Sequence, residues 1–199
     1  MFECSNGCYT FVSNYSLLIK MTEKKETILQ TALQLFADQG YENTPTSQIA
    51  KVAGVSEGLI FRHFENKEGL FKAILDEGQA RLQQYVDRIV RESNPKKRIE
   101  LVIDLGPTLV QEERLFWQLQ FTLKFKTTLY AKLKREQESF QSLYQAGVEA
   151  FAGLGYDQPE QETYLLMLLL EGLTSQLLIQ PEGLDVSSTT AFIKSKYGI

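Results

Sequence analysis

From residue 44 to residue 70 the chain reads TPTSQIAKVAGVSEGLIFRHFENKEGL, two short helical runs parted by a glycine and a serine. Gly54 suits the left-handed backbone that ends a helix, and Ser56, two residues on, suits the N-cap of the next. Helices this short cannot bury a core by themselves. They make sense as a device that holds one helix against something else, and the target most often met by this layout is the major groove of DNA.

The flanks read as helix. Residues 23–39 carry Ile28, Ala32, Leu35 and Phe36 at spacings of three and four, widened by Leu29 and Leu33 and closed by Gly40. Thr44 followed by Pro45 predicts a cap and a first helical turn, and Asn66 predicts the cap of a long helix from Lys67 toward Arg91. Gly58, in the first turn of its helix, lets the backbone come close to a surface. Gly106 and Pro107 predict an interruption further on, and Asp157 with Glu160 forms a pair resembling a capping box.

The helix after that pair, reaching about Ile179, is apolar all round, with a run from residue 165 to 170. Such a helix must be covered on every side: by its own core on one, most simply by a second copy of the chain on the other. Tyr164, Leu168, Glu171, Gly172 and Ser175 are the candidate dimer face. The unbroken apolar run is far below the roughly 20 residues needed to cross a bilayer, so no membrane partner is expected. Nothing alternates at a strand period for long, and the expected class is all-α.

Composition excludes more than it identifies. The 199 residues, 43% hydrophobic and 23% charged, suit one large or two small globular domains. Cys4 and Cys8 are too few for a zinc site or a disulfide framework, and no metal or cofactor is expected. Their isolation fits a reducing compartment. One histidine, no paired nucleophile and base, and no phosphate-cradling glycine loop leave little equipment for an enzyme. Residues 1–20 lack the features of a signal peptide, and Met21 with a capping Thr22 reads as the natural start, residues 1–21 being an extension.

Residues 24–75 resemble the DNA-binding domain of TetR-family transcriptional regulators. The resemblance is carried by ILQTALQLFADQGYENT, by Ile49 and Ala50, by the AGVSEG block (residues 53–58), by FRHF (residues 61–64), and by Lys67 with Leu70. It implies an N-terminal three-helix, helix-turn-helix domain over residues 22–75, joined by a long helix to a helical dimerisation and ligand-binding domain over residues 76–199. It further implies a cytoplasmic, ligand-responsive repressor that binds a palindromic operator in double-stranded DNA as a homodimer. By match to the family pattern, Thr46, Ser56, Gly58, His63 and Lys67 approach phosphates, while Glu57, Leu59, Ile60 and Arg62 border the surface that reaches bases. One residue departs: the family commonly has tyrosine where Phe61 stands, and phenylalanine loses the phenol contact.

Chemistry weighs on several of these. Lys67 beside a helix N-terminus suits a phosphate, Arg62 suits a phosphate or a guanine edge, and Glu57 can accept only from a donor such as cytosine N4. The charge is adverse: residues 22–78 hold six lysines and arginines against nine acidic groups, and the whole chain carries −4. In the C-terminal half, Phe116, Trp117, Phe121, Phe125, Phe140 and Tyr144, with Gln120 and Lys124, are candidates to line a pocket for a small, largely apolar ligand. A helical protein-interaction module without sequence-specific DNA binding is the alternative reading.

Overall fold

The structure is a computed structural model that describes residues 7–124, 136–179, 181–183 and 185–199, the side chains of residues 7–21, 124, 136–138 and 181 excepted. The described residues form eight α-helices and no strand: α1 (Gly7–Gln39), α2 (Thr46–Ala53), α3 (Glu57–Phe64), α4 (Lys67–Arg91), α5 (Pro95–Lys124), α6 (Glu136–Gly153), α7 (Pro159–Ile179) and α8 (Val186–Lys196). They divide into two compact units, one up to Leu75 and the other from Asp76 onward.

The first unit is built on the predicted stripe. Ile28, Ala32 and Phe36 of α1 close over Ile49 of α2, Ile60 of α3, and Leu70 and Phe71 of α4, all of them buried. Phe36, Tyr41 and Phe71 stack among themselves with ring centroids 4.6 to 5.5 Å apart. Two expectations for this unit are corrected. α1 begins at Gly7, so Thr22 lies inside a helix and not at its N-terminus. The physical reason is that neither glycine nor proline interrupts the chain between Gly7 and Gly40. Thr44 does not cap α2 either: it is buried and donates its hydroxyl back to the carbonyl of Gly40 at 2.9 Å, leaving Pro45 as an N-cap without a side-chain acceptor.

The second unit packs α5, α6, α7 and α8 around Ile99, Ile103, Phe151, Leu166 and Leu173, with Ile89 of α4 joining them. The predicted interruption falls elsewhere. α5 continues through Pro107 and breaks at Glu113 (φ −137°, ψ 45°). Three consecutive side chains there are fastened to other elements. Glu112 accepts from the Tyr85 hydroxyl, Glu113 accepts from Arg81 Nε at 2.6 Å, and Arg114 donates to the last carbonyls of α7, those of Leu177 and Leu178. α7 starts at Pro159, two residues beyond Asp157, with the Gln158 carbonyl taking the Glu162 N–H.

α7 spans 21 residues and is by length and composition apolar enough to cross a membrane, which the six-residue run did not suggest. Its two sides differ. Thr163, Leu166, Leu170, Leu173 and Leu177 are buried, whereas Tyr164, Leu165, Leu168 and Leu169 are exposed. At about 3.6 residues per turn, Tyr164, Leu168, Gly172 and Ser175 fall on the side opposite the buried stripe.

Candidate nucleic-acid interface

α3 is positioned by its ends and by one pair of side chains. Ser56 caps it as expected, its hydroxyl oxygen accepting the Leu59 N–H at 3.3 Å. Ile60 and Phe64, one turn apart, are buried in the first unit, and this anchor turns Glu57, Gly58, Phe61 and Arg62 outward. Ile60 therefore leaves the candidate surface. Its side chain is fully buried, because a helix of two turns needs an i, i+4 pair to hold it, and only Leu59, half-buried, remains to meet a thymine methyl.

Between α2 and α3, Gly54 adopts the left-handed conformation (φ 66°, ψ 34°) that the sequence predicted, and its N–H closes α2. Gly58 has a different character. It lies in ordinary helix, and a Cβ added there would meet nothing within 4 Å. No packing need of the chain itself calls for glycine at this position.

The turn from α3 to α4 was not legible in advance. Glu65 takes a positive φ of 66° with ψ −46°, while the Asn66 N–H bonds the Phe64 carbonyl at 2.7 Å: a γ-turn, rare and strained in an L-residue. Asn66 then caps α4 as expected, accepting the Gly69 N–H at 2.8 Å. A Cβ at Gly69 would overlap the Phe64 carbonyl oxygen, so the turn needs glycine there for space. Glu65→Gly is expected to raise stability by about 0.5–1 kcal/mol, the relief of a left-handed L-residue less the extra freedom of glycine in the unfolded chain. Urea unfolding measures it, and an unchanged or lower midpoint would show that the turn is not strained.

The polar candidates are less free than their spacing implies. The Lys67 ammonium sits 4.4 Å from the Tyr41 ring centroid and donates to the Glu42 carbonyl at 3.4 Å. Burial pulls its pKa below the usual lysine value, against the opposing pull of the Glu42 carboxylate. Burial, and then Glu68 and Glu42, push the Tyr41 phenol up. Lys67 is thus a brace between α4 and the loop after α1. Thr46 donates its hydroxyl to the Glu57 carboxylate at 2.5 Å. His63 is half-buried beside Phe64, and its Nε2 is buried with no hydrogen-bond partner among the described residues. Arg62 is exposed.

The pocket candidates are not brought together as one group. Phe116 is buried with its ring where a Cβ of Gly78 would stand, and Trp117 meets it edge-on at 5.4 Å. Trp117 Nε1 is buried and has no partner among the described residues. Gln120 and Phe121 are half-buried, Phe125 and the Lys124 side chain lie outside the described residues, and Phe140 is 58% exposed. Tyr144 belongs elsewhere: with Glu160, Gln161, Tyr164, Leu165 and Leu168 it lines an open groove between α6 and α7. Of the dimer candidates, Tyr164 is 60% exposed and Leu168 49%; Glu171 and Gly172 are exposed and Ser175 is half-buried.

Comparison with known proteins bears on the first unit above all. Residues 28–74 match the family model described as bacterial regulatory proteins, tetR family. The HTH-type transcriptional repressor AcnR of Corynebacterium glutamicum is 39% identical over 67 residues, 34% of this chain and 36% of that protein. The HTH-type transcriptional regulator AcrR of Shigella flexneri is 25% identical over 177 residues, covering 82% of each. The chain spans about a third of the length of several other curated relatives that it matches. Among solved structures, a TetR-like transcriptional regulator from Rhodococcus sp. RHA1 superposes with a TM-score of 0.72 at 16% identity, over 86% of this chain and 92% of that one. These relatives are named as regulators of transcription, not as enzymes. Residues 28–74 thus match the tetR family of bacterial regulatory proteins, and over most of its length the chain has the fold of a solved TetR-like regulator.

Proposed function

We propose that this protein is a cytoplasmic, ligand-responsive transcriptional repressor that binds a palindromic operator as a homodimer. The observation that carries the reading is the outward presentation of one helix: α3 is pinned by Ile60 and Phe64 and capped by Ser56, and offers Gly58, Leu59 and Arg62 to a partner. Leu59 and Arg62 are the groups that reach bases, whereas Ser56, Gly58 and His63 face phosphates. His63 is half-buried, and the exposed part of its ring, not the buried Nε2, is what such a contact can use. The exposed stripe of α7 supports dimerisation, and Gly172, where an added Cβ would meet nothing, permits a second helix to come close. Trp117 Nε1 supports a largely apolar ligand that carries one hydrogen-bond acceptor. A mass in solution of one chain, with no preference among duplex sequences, would contradict the reading and leave the protein-interaction module.

Gly58→Ala separates the two roles open to that glycine. In the free protein the methyl enters open space and improves helix propensity, so stability is expected to rise by up to about 1 kcal/mol. Operator affinity is expected to fall, since the methyl stands between the helix backbone and DNA. Thermal unfolding and a duplex titration on the same preparation check both signs. Unchanged affinity would show that Gly58 does not approach DNA.

A further inference from the structure

The shortest polar contact joining α2 to α3 is internal. Thr46, the first residue of α2, donates to the carboxylate of Glu57, the first residue of α3, at 2.5 Å. α2 has no side-chain cap, because its N-cap is Pro45, and the first N–H groups of a helix have no acceptor within it. α3 spends its own cap on Leu59. Two helix N-termini, each the positive end of a helix dipole, are therefore linked through one hydroxyl and one carboxylate. A carboxylate accepting from a hydroxyl beside helix N-termini offers the charge and the acceptor atoms that a nucleic-acid phosphate offers.

We infer that Glu57 is an internal substitute for a DNA phosphate: it engages the Thr46 hydroxyl in the free protein and must release it when a duplex binds. This rests on the DNA-binding reading above. Glu57 then sets a penalty on sequence-independent binding in two ways. Its charge repels the backbone, and its hydrogen bond withholds a donor from it. Duplexes that offer only phosphate contacts bear the penalty without recompense, whereas an operator offsets it through Leu59 and Arg62.

Titration of the full chain with a random-sequence duplex, over about 50 to 200 mM salt, tests this in four variants. Glu57→Ala is expected to tighten random-duplex binding about tenfold and to steepen the slope of log affinity against log salt by up to about 0.9, the value of one charge. Glu57→Gln, which keeps the size and an acceptor for Thr46, is expected to fall between Glu57→Ala and the parent. Thr46→Val is expected to change binding little in the parent, where the hydroxyl is already engaged, and to remove part of the gain in the Glu57→Ala background. Circular dichroism confirms the fold of each variant, and the near-isosteric Glu57→Gln serves should Glu57→Ala unfold. Equal or weaker random-duplex binding in the Glu57 variants overturns the inference, as does a Thr46→Val effect of the same size in both backgrounds. A parent chain that binds no duplex at low salt overturns the DNA-binding reading itself, a result distinct from these.

Discussion

Leu168→Glu is expected to turn a dimer into a monomer without disturbing the fold of the chain. Leu168 is 49% exposed on the side of α7 opposite its buried leucines, and a substitution at such a position typically costs the monomer no more than about 0.5 kcal/mol. Across a two-fold interface the same residue meets its copy or a near neighbour, so each dimer acquires two carboxylates in an apolar contact. Loss of the dimer also uncouples the heads: two half-sites held together bind about 10²–10⁴-fold better than one, and operator affinity is expected to fall by that order. Sedimentation equilibrium should give twice the 22.7 kDa chain mass for the parent and the single mass for the variant, with equal helical content. A variant that stays dimeric would show that the face is elsewhere.

Gly69→Ala should be the most damaging conservative change in the first unit. The added methyl overlaps the Phe64 carbonyl oxygen, a backbone atom at the end of α3 that no side-chain rotation can move aside. Overpacking of this kind costs about 1–3 kcal/mol, and occasionally more. Relief requires α3 to shift against α4, so duplex binding is expected to fall together with the urea midpoint. Gly58→Ala, eleven residues earlier, is expected to raise stability while lowering affinity. The contrast between the two glycines separates a methyl that collides within the chain from one that collides with DNA. Unchanged stability of Gly69→Ala would mean that the turn can relax.

Much of the first unit was readable because its signals are local. The Gly54 and Ser56 punctuation, the Asn66 cap and the α1 stripe each depend on neighbours within a turn or two, and each stands where the spacing put it. What could not be read depends on contacts between segments. Ile60 and Leu59 are equivalent in sequence, and only the position of α3 against α1 and α4 sends Ile60 inward. Lys67 reads as a free cation until Tyr41 and the Glu42 carbonyl are seen beneath it. Its replacement by alanine therefore removes a brace of the head as well as any phosphate contact, which makes Arg62 the cleaner probe of DNA. The break at Glu113 rather than at Pro107 likewise follows from partners on α4 and α7, not from the α5 sequence.

Selection of bound duplexes from a random pool, at a stated salt concentration, tests directly whether the dimer reads a palindromic operator. A palindromic motif is expected whose half-sites lie one helical turn or a multiple of it apart, lost in Leu168→Glu and altered in base preference by substitution of Arg62. A pool that emerges unenriched, from a parent chain shown to be folded and dimeric, would contradict it.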